Sequence, residues 1–442
     1  MDIVREIALK ALYKIDKEDA YSNIALDETI KKNRRKLDDR DVGFISEIVY
    51  GVITWRLTID EIIKKYSNIR LKKISPWILN ILRMGIYQIV FLDKIPKSAA
   101  VNESVNLAKR YGHKGSSNFV NAILRKVEKK DYETFFEIKN PIERISKTTS
   151  MPVWIIEELL KENDIQKVEE ICKASNIKPK VVIRINNLKT DKQELENLLK
   201  ERNITFQQGE FEDFLILEKA KNIEQLDLFK QGYFTIQDEG AGLIAKVVNP
   251  KPNEVILDAC SSPGGKTTYM AELMEDKGEI IAWDLHSHRV KLVEETAKRL
   301  GIHIIRTQCQ DATIYKEEYK EKFDKILLDV PCLGTGVLKR KPDIKWKRKP
   351  EDIEEISNIQ KNILQTCSKY VKSNGQIVYS TCSIFSEEND KIIDEFLQKN
   401  PDFIYGKIQT LNAEKNVQNL NKIQLYQNEQ TDGFFMCKLQ KK

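Results

Sequence analysis

Apolar residues recur at helical spacing through the first third of the chain. Val4, Ile7, Ala11 and Ile15 fall on one helical stripe. In SPWILNILRMGIYQIVFL, Ser75 stands as an N-cap with Pro76 at the first helical position. In KSAAVNESVNLAKRYG, Ser98 is the expected cap, Val101, Val105 and Ala108 share a face, and Gly112 lies just past the end. The pattern then changes. VVIRIN (181–186) predicts a strand, DKQELENLLKERN a helix, and FLIL and YFTIQD further strands, which together make a small α+β module. Arg184 and Asn186 are expected to face solvent, with Val182, Ile183 and Ile185 supplying the apolar content. The pattern suits an RNA-binding sheet and a plain packing module equally. From 236 onward, continuous apolar runs alternate with helical ones. EVILDAC, GEIIAWD, HIIRTQCQD, DKILLDVPC and GQIVYSTCS predict strands, and FFMCKLQ an antiparallel final strand. Continuous runs mark strands covered on both faces. The expected architecture is multidomain: an all-α bundle over 1–135, a small α+β module over 145–235, and a doubly wound, Rossmann-like α/β sheet over 236–442. Ligands of such a sheet sit at the carboxyl ends of its strands.

Composition narrows the class. With 442 residues, 41% hydrophobic and 32% charged, the chain has material for several cores and too much for disorder. A net charge of +6 is mild, so a nucleic-acid surface must come from clustered charge. No apolar run approaches the ~18 residues that span a bilayer, and MDIVREIALKALYKID has no signal-peptide core. A cytoplasmic protein without membrane contact is expected. The 7 cysteines are widely spaced, there is no CxxC, and there are only 4 histidines. A disulfide framework and a metal site are therefore not expected.

LDACSSPGGKTT (257–268) carries the first chemical signal. A nucleotide-binding P-loop needs a glycine five positions before Gly265, where Cys260 stands. Gly264 and Gly265 are adjacent, so the dinucleotide fingerprint fails too. Pro263 removes a backbone donor that a phosphate nest would use. The acids point away from phosphate: Asp284 ends the second strand of the sheet, Asp311 the third and Asp329 the fourth. Each could simply cap a helix. Together they suit a ligand with a ribose diol, an amine and a positive centre, and they would repel a pyrophosphate. S-adenosylmethionine fits this description.

Cysteines supply the second signal. DVPCLGTGV puts Cys332 at the tip of the fourth strand and YSTCS puts Cys382 at the tip of the fifth, flanking one crevice. Carbon 5 of cytosine is a poor nucleophile. A thiolate added at carbon 6 makes carbon 5 enamine-like, and the thiol must later be expelled, so the chemistry needs a nucleophile and a nearby assisting group.

DACSSPGGKTT, DVPCLGTGVLKRKPDIKW, YSTCS and TDGFFMCKL together resemble the Sun-type (Fmu) RNA cytosine-5 methyltransferases. LDDRDVGFISEIVYGVITW, IPKSAAVNESVNLAKRYG and SSNFVNAILRKV resemble the NusB family of RNA-binding antitermination factors. This fusion is similar to the bacterial branch that methylates small-subunit (16S) ribosomal RNA. The resemblance implies that Cys382 is the nucleophile and that Cys332 assists product release. It implies cofactor contacts from Cys260, Ser261, Ser262, Pro263, Gly264, Gly265, Lys266, Asp284, Asp311 and Asp329, the last shared with the target base. It implies as substrate ribosomal RNA, free or within an assembling subunit, and a monomeric enzyme is expected. Two departures stand out: Gly240 and Ala241 replace a frequent serine, and the loop reads CSSPGG where alanines are common. DNA cytosine-5 methyltransferases use the Pro-Cys cysteine as nucleophile, which would reverse the two roles. Transfer RNA as substrate, a non-catalytic RNA-binding factor and a variant dehydrogenase are the alternatives.

Finally, VLKRKPDIKWKRKPED gathers Lys339, Arg340, Lys341, Lys345, Lys347, Arg348 and Lys349 around Trp346. Phosphate contacts by the cations and base stacking on Trp346 are expected there.

Overall fold

The computed structural model describes residues 2–18, 20–218, 222–408 and 420–442. The chain packs as two compact units, Met1–Asn176 with Leu338–Lys347, and Ile177–Val337 with Arg348–Lys442. These units divide the chain elsewhere than the three segments expected from its sequence.

The first unit is helical. Asp2 caps Ile3–Lys17 by accepting from the Val4 amide, and Asp38 opens Asp39–Thr54 through a capping box with Asp41. Pro76 begins Pro76–Phe91 as expected, and Gly112 ends Lys97–Tyr111. The latter helix starts before Ser98: extended Pro96 occupies the N-cap, so Ser98 lies inside the first turn. Pro76–Phe91 is the core of the bundle, buried at nearly every position from Ile78 to Val90. Its Arg83 is tolerated there because the guanidinium is fully engaged, by Asp60 at 2.7 and 2.8 Å and Asp16 at 2.8 Å.

Two additions complete this unit. Helices Pro141–Thr149, Val153–Leu159 and Ile165–Ala174 join the bundle, with the Thr58 hydroxyl donating to the Lys147 carbonyl at 2.7 Å. Leu338–Lys347 also packs into it. Ser22 donates to Asp343 at 2.6 Å, Trp346 Nε1 to the Ile53 carbonyl at 2.8 Å, and Lys345 Nζ to Asn176 Oδ1 at 2.7 Å. Much of the basic run is therefore not the solvent-facing RNA strip expected of it. Lys345 is 1% exposed, and burial pushes its pKa down to about 7. Trp346 is committed to packing, with Arg56 over its ring. Of the cations in the run, Lys341 and Lys349 are the exposed ones.

The second unit contains two sheets. Strands β1 (Val181–Ile185), β2 (Phe206–Gln208), β3 (Phe214–Leu217) and β4 (Phe234–Ile236) pair antiparallel in the order β2-β3-β1-β4. Ile183 and Ile185 pack with Leu195 and Leu199 of helix Lys192–Glu201 on one face. The other face is covered as well, which overturns the expected exposure of Arg184 and Asn186: both are buried. Arg184 binds Glu272 at 2.7 and 3.1 Å and the Gly265 carbonyl at 2.8 Å, contacts Gln237 Oε1, and lies 4.4 Å from the Tyr269 ring centroid. Asn186 donates to the Gly232 and Leu300 carbonyls at 2.8 and 2.9 Å.

The larger sheet holds β5 (Val255–Asp258), β6 (Glu279–Asp284), β7 (Ile305–Cys309), β8 (Phe323–Asp329), β9 (Val371–Thr381), β10 (Phe403–Tyr405), β11 (Lys422–Leu425) and β12 (Phe434–Lys441). The order is β10-β12-β9-β8-β5-β6-β7, with β11 also paired to β12. β5 to β9 are mutually parallel, while β12 runs antiparallel between β9 and β10. The expected parallel strands and the antiparallel last strand are all present; the short β10 and β11 are additions.

Removing the Arg184 guanidinium strands a buried Glu272 carboxylate. Arg184→Met should cost about 3–5 kcal/mol in chemical denaturation, and Arg184→Met with Glu272→Met should recover most of it. A single-variant loss under ~1 kcal/mol would show that the pair does not hold the small sheet in place.

Candidate active site

Strand register brings the site together. Asp258 pairs with Leu327, and Asp329 with Ser380. Successive strand residues alternate faces, so Asp258, Leu327, Asp329 and Ser380 share one face at the carboxyl ends of β5, β8 and β9. Helix Gly265–Leu273 covers that face, with Tyr269 and Met270 packed beside Ile256, Leu327 and Val378.

The loop from Ala259 to Gly264 is tied down by backbone contacts. Ser261 donates its amide and hydroxyl to the Trp283 carbonyl at 2.8 and 2.9 Å, and the Gly264 amide reaches the Ser261 carbonyl at 2.8 Å. Gly264 has φ 101°, and a Cβ there would come within 3.2 Å of Val293 Cα. Both conditions favour glycine. Ser261 therefore spends its side chain on the fold. Ser262 and Pro263 offer carbonyls to Arg289 and Thr296, each at 3.4 Å, and Pro263 is exposed. Burial raises the Cys260 thiol well above its usual range.

Lys266 Nζ donates to Asp329 Oδ2 at 2.8 Å, and Ser380 Oγ to Asp329 Oδ1 at 2.9 Å. Burial works against the lysine's charge, but Asp329 outweighs it and Cys382 adds to the effect, so the Lys266 pKa rises. Asp258 Oδ2 accepts from Thr267 at 2.7 Å, while its Oδ1 is buried without a hydrogen-bond partner among the described residues. Burial pushes the Asp258 carboxyl up to about 7. At the neighbouring strand ends, Asp284 accepts from the His286 amide at 3.2 Å and faces Arg289 at 3.5 Å. Asp311 accepts from the Thr313 amide at 2.8 Å and hydroxyl at 2.6 Å, closing a local turn.

The sulfurs of Cys332 and Cys382 lie 2.8 Å apart, and both residues are reduced. The hydrogen bond with Cys382, followed by burial, holds the Cys332 thiol well above its usual pKa. A backbone ladder fixes the two loops: the Gly336 amide donates to the Cys382 carbonyl at 2.8 Å and the Gly433 amide to the Gly336 carbonyl at 2.7 Å. A Cβ on Gly336 would sit 2.1 Å from the Gly433 carbonyl oxygen, so the glycine is required. This contact explains the TDGFF stretch.

The structure thus gathers Cys332, Cys382, Lys266 and Asp329, with Asp258 behind them, and sets Asp284 and Asp311 at the next two strand ends. The sequence reading missed Asp258, Arg184, and the buried Glu388 that bonds both cysteine loops. EVILD contained the signal for Asp258, a carboxylate closing an apolar strand. Among the described residues, no group of three or more His, Cys, Asp or Glu side chains could hold a metal ion.

A five-strand parallel sheet with an antiparallel strand inserted beside β9 is the fold of a class I methyltransferase. The donor set fits S-adenosylmethionine: an unpartnered buried carboxylate oxygen and strand-end acids suit amine and ribose donors and oppose phosphate. The pattern of the family described as 16S rRNA methyltransferase RsmB/F matches residues 245–440. The NusB family matches residues 2–129, and the RsmF/B-like ferredoxin-like domain matches 151–224. The chain is similar to the Bacillus subtilis protein named Probable ribosomal RNA small subunit methyltransferase B, at 38% identity over 99% of both chains. It is similar to Ribosomal RNA small subunit methyltransferase B of Shewanella oneidensis, at 31% identity over 99% of both. The solved structure of PH0851 superposes with a TM-score of 0.80 at 26% identity, covering 98% of each chain. The chain belongs to the RsmB/F family of 16S rRNA methyltransferases. It is an S-adenosylmethionine-dependent RNA methyltransferase with a NusB domain and a ferredoxin-like domain ahead of the catalytic sheet.

The raised Asp258 pKa has a consequence for stability. Between the ordinary carboxylate range and about 7, the folded chain holds a proton that the unfolded chain has released, so Asp258 makes stability fall as pH rises through that window. Denaturation midpoints measured from pH 4.5 to 8 should fall less steeply in Asp258→Asn than in the parent. Parallel profiles would show that Asp258 titrates normally.

Proposed function

We propose that this enzyme methylates carbon 5 of a cytosine in small-subunit (16S) ribosomal RNA through a covalent cysteine–cytosine intermediate. The observation that carries this reading is the pair of sulfurs 2.8 Å apart at the tips of β8 and β9, beside the Lys266–Asp329 pair. Two thiols in contact suit addition followed by elimination, in which one group attacks and a neighbour assists its release. The names of the full-length relatives supply the RNA.

S-adenosylmethionine, when bound, supplies an electrophilic methyl group. Cys260 to Lys266 with Asp284, Asp311 and Asp329 are the residues proposed to hold it. The Asp284 carboxylate suits a ribose diol, and Asp258 Oδ1 suits an amine. The Cys382 sulfur adds to carbon 6 of the target base, beside the Lys266 ammonium that Asp329 keeps charged. Cys332 keeps its proton and donates it in a hydrogen bond to the Cys382 sulfur, which stabilises the thiolate that attacks and later leaves. Carbon 5 then gives up its proton to solvent, the electron pair of that bond restores the 5,6 double bond, the carbon–sulfur bond breaks and Cys382 leaves, with Cys332 assisting that release. The base must be unstacked, because carbon 6 is closed to a thiol inside a helix.

RNA docking is proposed for the helical segment 1–135 and transfer for 236–442, while the covered faces of the sheet in the α+β segment 145–235 favour a packing module. A monomer acting in the cytoplasm on RNA or an assembling subunit is part of the proposal. No single helix among the described residues is long and apolar enough to cross a membrane.

Cys382→Ala should abolish transfer of labelled methyl groups. Cys332→Ala should instead accumulate a protein–RNA adduct on denaturing gels. An adduct from Cys382→Ala would reverse the two roles. In a separate assay, unmodified 16S ribosomal RNA should gain labelled 5-methylcytosine and transfer RNA should not. Label in transfer RNA alone would keep the chemistry and overturn the substrate.

A further inference from the structure

Just beyond β9, the turn Ser386–Glu388 places a carboxylate between the two cysteine loops. Glu388 is fully buried. Its Oε2 accepts from the amide of Leu333, the residue after Cys332, at 2.9 Å, and from Gln360 Nε2 at 3.0 Å. Its Oε1 accepts from the hydroxyl of Ser383, the residue after Cys382. Gln360 also donates to the carbonyl of Pro331, the residue before Cys332, at 2.8 Å. Ser383 contacts Thr335 Oγ1 at 3.0 Å, and Tyr379 OH fastens the Glu388 carbonyl at 2.7 Å.

A buried carboxylate is costly and persists only when its oxygens are bonded. Two of its three bonds come from residues adjacent in sequence to the sulfurs, one on each loop, and the third donor, Gln360, also grips the Cys332 loop. We propose that Glu388 is a positioning residue that sets the spacing of Cys332 and Cys382, with Ser383 and Gln360 completing the clamp. It touches neither sulfur and acts by holding each loop one residue from its thiol. The role rests on the two-cysteine reading for its effect on catalysis, while its effect on spacing stands apart from that reading.

The test uses Glu388→Ala, Glu388→Gln and Ser383→Ala in the full-length protein. Glutamine keeps an acceptor for the Leu333 amide, and its amide can donate to the Ser383 hydroxyl, so Glu388→Gln should retain most of the parent behaviour. The first readout is oxidation of Cys332 and Cys382 to a disulfide by diamide. The two thiols lose two protons and two electrons, diamide is reduced to the hydrazine, and peptide mapping locates the bond. Glu388→Ala should slow this reaction about tenfold or more, and Ser383→Ala by less. The second readout is turnover. Glu388→Ala should lower kcat about 10–100-fold with the KM for S-adenosylmethionine unchanged, and should accumulate the protein–RNA adduct. Equal disulfide rates in the parent, Ser383→Ala and any folded Glu388 variant would overturn the proposal. If Glu388→Ala does not fold, Ser383→Ala carries the test, with slower oxidation expected and an unchanged rate refuting. Slower oxidation in the variants alongside a Cys332→Ala protein that forms no adduct would leave the clamp standing and sink the two-cysteine mechanism.

Discussion

The parallel pairing of β8 with β5 on one side and β9 on the other is the constraint on which the site depends. That register puts Asp258 level with Leu327 and Asp329 level with Ser380, all on the face covered by helix Gly265–Leu273. A slip of one residue would turn these groups to the opposite face. With the register held, a single side chain from the covering helix, Lys266, reaches Asp329, and the chain leaving β8 and β9 carries its cysteines into contact. The antiparallel β12 adds the last restraint, since Gly433 just before it bonds Gly336 in the Cys332 loop.

The electrostatics of the site follow from how little water reaches it. A buried carboxylate without a full set of donors becomes harder to ionise, as at Asp258, whereas a buried lysine facing a carboxylate has its ammonium form favoured, as at Lys266. Acids at the ends of β5, β6 and β8 oppose phosphate, as does a loop whose Ser261 and Gly264 amides are already bonded to Trp283 and Ser261. Lys266 is neutralised by Asp329, and Arg289 faces Asp284. Such a site favours a ligand that brings its own positive charge and hydroxyl donors.

What the sequence made legible was whatever local pattern determines. Continuous apolar runs ending in Asp284 or Asp329, the adjacent glycines, and a cysteine after each of two strands all report on single segments. The misses concern side chains whose environment is made by distant ones. Alternation in VVIRIN reads as one wet face when, as here, both faces are covered and Arg184 is paired with Glu272, 88 residues away. Lys345 and Trp346 read as an RNA-facing strip because composition cannot distinguish a solvated run from one packed against helices. Glu388 sits in EEND, which reads as surface until its partners at Leu333 and Ser383 are known. Ser98 lost its capping position to Pro96, a shift of two residues that propensity does not resolve.

Two buried charged clusters in the second unit sit where geometry matters for chemistry. Arg184 with Glu272 steadies the first turn of the helix that presents Lys266, and Glu388 steadies the loops that present Cys332 and Cys382. Well-packed apolar residues of similar volume would commonly serve stability as well or better, because the desolvation cost of an ion offsets most of its attraction. Apolar contacts, however, are non-directional, and a methyl group packs nearly as well after a shift of half an ångström. A carboxylate accepting from one backbone amide and one hydroxyl does not, because hydrogen bonds weaken steeply with misalignment. Directionality is therefore what these buried groups contribute. The proposed mechanism needs it, because there one sulfur reaches carbon 6 of a base while the other stays close enough to help it leave.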